Sequence, residues 1–93
     1  METITAYRYE VLEAPESEEL GTRCSLEPWT YDPELYRVVE TAIRVELQPG
    51  VRLGPSGGNH LLLYRSLIPY GRTLAHALRD GWCRVVGDDD PPS

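Results

Sequence analysis

The groups able to do covalent chemistry in this chain are few and far apart. Gly54-Pro55-Ser56-Gly57-Gly58 matches the G-x-S-x-G pattern, in which a strained strand-to-helix turn exposes a nucleophilic serine. Asn59-His60-Leu61 follows it and opens an apolar run of strand character, where that turn requires a helix. His60, His76 and Asp80 also stand in the wrong chain order for the triad of that fold. Cys24, His60, His76 and Cys83 are enough donors for a tetrahedral zinc ion, but none are paired at the two-to-five-residue spacings that structural zinc sites use. A glycine-rich loop, a surface histidine at His76 and two reduced thiols are the expectation, with no catalytic residue, metal or cofactor.

The same glycine-rich loop invites a phosphate-binding reading. Tyr31-Asp32-Pro33-Glu34-Leu35, followed by Gly-Pro-Ser-Gly-Gly, resembles the approach to the P-loop of MoxR-type ATPases. That resemblance would imply a nucleotide held by the loop backbone. Such a loop needs G-K-[ST] after its glycines to reach the phosphates and magnesium, and this chain has Asn59-His60-Leu61 there.

The remaining candidates are residues that bind. Trp29-Thr30-Tyr31 offers large amphipathic side chains of the kind that anchor interfaces, or that close the edge of a core. All nine basic residues are arginine, which fits a GC-rich bacterial or phage genome as well as selection for the planar guanidinium fork. The net charge of −6 is unevenly spread: residues 1–46 carry eleven acids against four arginines, and residues 47–87 carry Asp80 against five arginines. Such a dipolar chain suits docking on a charged protein surface. Nucleic acid is disfavoured, because neutralising phosphates needs clustered positive charge without net acidity. The candidate partner-binding residues are Glu13, Glu16, Glu18 and Glu19 in the acidic stretch, Trp29 and Tyr31, and Arg52, Arg65 and Arg72 in the basic segment.

Positioning these residues requires regular elements. Thr3 to Leu12 alternates as a strand, with Tyr7, Tyr9 and Val11 on the expected core side, and Thr22 to Leu26 reads as a short second strand. Asp32-Pro33-Glu34 carries the marks of a helix start, with Tyr31 and Tyr36 placed to staple it. Leu35, Val38, Val39, Ala42 and Ile43 then recur at helical spacing, so residues 35–47 are expected to be helical. Val39, Thr41, Ile43, Val45 and Leu47 also alternate as a strand would. After a brief extended Val51-Arg52-Leu53, His60 to Arg65 reads as a central strand. Pro69 to Asp80 reads as a second helix burying Tyr70, Leu74, Ala77 and Leu78, with Gly81 as its left-handed cap, and Trp82 to Val86 as a closing strand.

Ninety-three residues hold one core, so the expectation is a single α+β domain over residues 1–87: three or four strands in a mixed or antiparallel sheet, two helices packed on one face, and a disordered acidic tail over 88–93. No apolar run reaches the roughly 20 residues of a membrane span, and the chain opens without the basic start of a signal peptide, which implies a cytoplasmic protein with no membrane partner. The expected function is a non-enzymatic protein-binding module, a small acidic adaptor or inhibitor, phage- or defence-associated. The alternatives are a small enzyme or nucleotide-binding fragment using Gly54 to His60, and a self-associating structural subunit.

Overall fold

The computed structural model describes residues 2–55 and 60–88. Among the described residues six strands and one helix follow in the order β1 (Thr3–Glu13), β2 (Gly21–Ser25), β3 (Arg37–Leu47), β4 (Val51–Pro55), β5 (Leu61–Arg65), α1 (Leu74–Arg79) and β6 (Cys83–Asp88). Four strands form one antiparallel sheet in the order β2-β1-β3-β6, and β4 and β5 form a separate antiparallel hairpin. With 53% of the described residues in strands and 7% in helix, the domain is mostly β, and the α+β expectation of two helices packed on a sheet is overturned.

The decisive correction is at residues 35–47. The helix start is built as expected, since the Glu34 N–H donates to Asp32 Oδ1 at 2.9 Å and the Leu35 and Tyr36 N–H groups both donate to the Asp32 carbonyl at 3.0 Å. It ends after that single turn. From Arg37 onward the chain is extended and pairs with β1 almost throughout, from Glu13↔Arg37 to Thr3↔Glu46, with one irregularity between Val11 and Glu13. Two long strands, both rich in β-branched and aromatic residues, stabilise each other through a continuous ladder that a local cap cannot match.

Register sets which side chains share a face. Ile4 pairs with Val45, Ala6 with Ile43, and Leu47 with Cys83, so these residues point to one side. Together with Leu26, Val51, Leu63, Leu74, Ala77 and Trp82 they make the main core, roofed by the β4–β5 hairpin and α1. The expected core side of β1 was the opposite one. Tyr9 and Val11 are indeed buried, but on the other face of the sheet and outside this core, whereas Tyr7 is only half-buried.

The second helix is also shorter than expected. Leu63 and Arg72 exchange both backbone hydrogen bonds, at 2.9 and 2.7 Å, which draws residues 71–72 alongside β5 as a bridge. Gly71 permits that approach, because a Cβ there would stand 2.7 Å from Leu62 Cβ. The helix can begin only at Thr73, whose Oγ1 accepts from the His76 N–H at 3.3 Å. Leu74 and Ala77 are buried as expected, but Tyr70 lies before the helix and is exposed. Gly81 does take the left-handed conformation at φ 77°. Leu61–Arg65, expected at the centre of the sheet, belongs to the two-stranded hairpin, and Asp88, expected in the tail, ends β6. Residues 89–93 lie outside the described residues.

Candidate functional site

The strand register turns the charge asymmetry of the chain into an asymmetry in space. Glu13 pairs with Arg37 at the first residue of β3, while Leu47, at its last, leads into the turn before β4. At about 3.3 Å per residue those ends of β3 are roughly 33 Å apart. Glu10, Glu13, the β1–β2 connection carrying Glu16, Glu18 and Glu19, and the Asp32–Glu34 turn therefore gather at one end of the sheet. Arg65 of β5 pairs with Val51 just past Leu47, and Arg79 of α1 shortly precedes Cys83, which pairs with Leu47, so both stand towards the other end of β3. Exposed Leu20, Leu35 and Val39 sit among the acids.

Behind this acidic end lies an aromatic cluster. Trp29 packs edge-on to Tyr9 at 5.8 Å and to Tyr36 at 5.2 Å, and tilted against Tyr31 at 5.2 Å, with Tyr31 and Tyr36 at 6.3 Å. The expected staple between Tyr31 and Tyr36 thus forms, around a turn instead of a helix. The Tyr9 hydroxyl holds the cluster down: it donates to the Glu27 carbonyl at 3.3 Å and accepts from the Trp29 N–H. Burial pushes the Tyr9 phenol above its ordinary value, partly countered by the hydrogen bond from Trp29, so it keeps the proton it donates. Partial desolvation and the neighbouring Glu18 carboxylate push the Tyr36 phenol up in the same direction. Arg23 ties strand to cluster: its guanidinium lies 5.9 Å over the Trp29 ring, 4.0 Å from Glu18, and donates to the Glu19 carbonyl at 3.0 Å.

Of the nine candidate binding residues, the fold brings six to this end. Glu13 sits 3.6 Å from Arg37, Glu18 and Glu19 meet Arg23, Glu16 is exposed, and Trp29 and Tyr31 form the cluster. Arg52, Arg65 and Arg72 do not converge with them. Arg52 lies 5.5 Å over Tyr64 and Arg72 lies 5.4 Å over Trp82 with Asp80 at 3.6 Å, while Arg65 is exposed at the end of β5. Sequence reasoning missed Tyr9, Glu27 and Tyr36 as parts of the site. The alternation of β1 places Tyr9 on a face, but nothing local says that a loop 18 residues on will seal it.

A cleft of about 470 Å³ opens beside this cluster, lined by Tyr9, Arg23, Cys24, Glu27, Trp29 and His60 among others. His60 Nδ1 stands 3.8 Å from Glu27 Oε2, and both groups are open to solvent. A second cleft of about 190 Å³ continues along Cys24 and Ser25 to Thr73 and Leu74. Cys24 is half-buried and Cys83 buried, both as free thiols, and burial raises the Cys83 thiol. Among the described residues no three His, Cys, Asp or Glu side chains gather as a metal site would require. Ser56, the serine of the G-x-S-x-G pattern, and Gly57 to Asn59 lie outside the described residues.

The fold and site define a small antiparallel β domain with an acidic, aromatic-backed end. No family model, curated protein or solved structure matches the chain. Among the described residues, no helix is long and apolar enough to cross a membrane.

Proposed function

We propose that this chain is a non-enzymatic protein-docking module, an adaptor or inhibitor that engages a basic surface of another protein through its acidic end. The observation that carries this reading is the coincidence of charge and apolar exposure there. Leu20, Leu35 and Val39 are 62%, 55% and 48% exposed among Glu10, Glu16, Glu19 and Glu34. Carboxylates alone are easily solvated and steer encounter more than they hold a partner. Apolar side chains left open between them supply the surface whose burial stabilises a complex.

The test compares partners captured from the source cell by three forms of the full chain: the native protein, an acidic-end variant (Glu16→Gln, Glu19→Gln, Leu35→Ser) and an opposite-end variant (Arg65→Gln, Arg79→Gln). Loss of a salt-sensitive partner from the acidic-end variant alone is the expected result. A partner retained by that variant, or lost only from the opposite-end variant, would overturn the assignment.

A further inference from the structure

We propose that the outer edge of β2 accepts an extended, basic segment of the partner as a fifth strand, with a cationic side chain seated in the cleft between Glu27 and Trp29. The proposal rests on the acidic-end reading above and specifies how that end binds. β2 is terminal in the β2-β1-β3-β6 sheet, so no strand pairs with its outer side among the described residues. Backbone donors and acceptors along such an edge are a ready template for strand addition.

The other sheet edges are less suited. β6 is interrupted by a bulge, its register shifting between Arg44 and Val45 of β3, and β4 ends at Pro55. Both are devices that blunt an edge. β2 has neither, and both clefts are lined in part by its Cys24 and Ser25.

Charge complementarity identifies the occupant. Glu18 and Glu19 precede β2, Glu27 follows it, and Glu10 pairs with Thr22 across it. Inside the larger cleft, among the described residues, the Glu27 carboxylate meets a 3.8 Å contact from an exposed His60, and the Trp29 ring and Arg23 line the same cleft. A carboxylate next to an indole suits an arginine or lysine side chain, through ion pairing and cation–π attraction together. Arg23, which also lines this cleft, already uses the same ring in that way at 5.9 Å, its charge met by Glu18 at 4.0 Å.

The test is amide NMR on the full chain, titrated with three capped octapeptides: alternating arginine and valine, alternating arginine and proline, and alternating glutamate and valine. Proline keeps the charge of the first peptide and removes half of its strand donors. Expected are saturable binding of the arginine–valine peptide, shifts and slowed exchange in β2 amides with shifts at Glu27 and Trp29, at least tenfold weaker binding of the arginine–proline peptide, and none of the acidic one. Glu27→Gln should weaken the first peptide about fivefold, as for a partly exposed ion pair. Equal binding of the two arginine peptides, or shifts confined to residues 14–20, would overturn strand addition and leave the acidic-end reading standing. Binding by neither arginine peptide would also overturn strand addition, while the acidic-end reading is decided separately by the capture experiment.

Discussion

Replacing Tyr9 by phenylalanine isolates one oxygen atom on which the architecture of the acidic end depends. Tyr9 is 1% exposed, and its ring should keep its edge-on packing against Trp29 as phenylalanine. What is lost is the hydroxyl that donates to the Glu27 carbonyl and accepts from the Trp29 N–H. The donated bond is long at 3.3 Å and contributes little. The Trp29 N–H is left without its acceptor in a part-buried position, where water can replace the hydroxyl only in part. One neutral hydrogen bond lost, with a partly unsatisfied donor left behind, costs about 1.5 kcal/mol. For a domain of this size that cost corresponds to a fall in Tm of roughly 6–12 °C, at about 4–8 °C per kcal/mol. Calorimetry reads the global loss, and hydrogen exchange of the Trp29 amide reads the local one. A variant melting within about 2 °C of the native protein, with Trp29 protection unchanged, would refute the role given to this hydroxyl.

Three further outcomes follow from named geometry. Both Cys83 and Tyr9 have folded-state values raised above their usual 9.0 and 10.0, so the folded chain holds these protons more tightly than the unfolded one. Their contribution is full below those usual values and is lost as pH rises through them towards the raised folded values. Urea midpoints should therefore decline above about pH 9, and Tyr9→Phe should lessen the part of the decline above about pH 10, to which Tyr36 also contributes, while leaving the lower part unchanged. Leu67 holds a left-handed φ of 71° and is fully exposed in a turn closed by the Ile68 N–H on the Arg65 carbonyl at 3.2 Å. Leu67→Gly should raise stability by about 0.5–1 kcal/mol, since relief of backbone strain outweighs the added entropy of the unfolded chain; a lower urea midpoint would count against that strain. Gly71→Ala would force a Cβ to within 2.7 Å of Leu62 Cβ, and should cost about 1–3 kcal/mol in denaturant titration by opening the Leu63–Arg72 bridge.

What could be read without the fold was mostly local. The alternation of Thr3 to Leu12, the short strands around Cys24 and Leu62, the closing strand after Trp82 and the left-handed Gly81 all depend on neighbours a few positions away, and they appear close to where the pattern places them. Residues 35–47 satisfied two periodicities at once, and the favourable cap at Asp32 pointed to the wrong one. The arbiter was β1, which lies 24 or more residues earlier and offers a complete antiparallel ladder. Pro69 to Arg72 failed for a similar reason, being drawn out of the helix by the bridge to Leu63.

The candidate site divides along the same line. Composition and chain order determined that the molecule is acidic in its first half and arginine-bearing afterwards, because charge can be counted without coordinates. Tertiary structure decided that Glu10, Glu18 and Glu34 share one end, that Trp29 rests on Tyr9, and that Arg52 and Arg72 are spent on Tyr64 and Trp82. Each of these depends on strand register and chain crossing. Hydrogen-bond ladders between distant segments set both, and no window of sequence contains them.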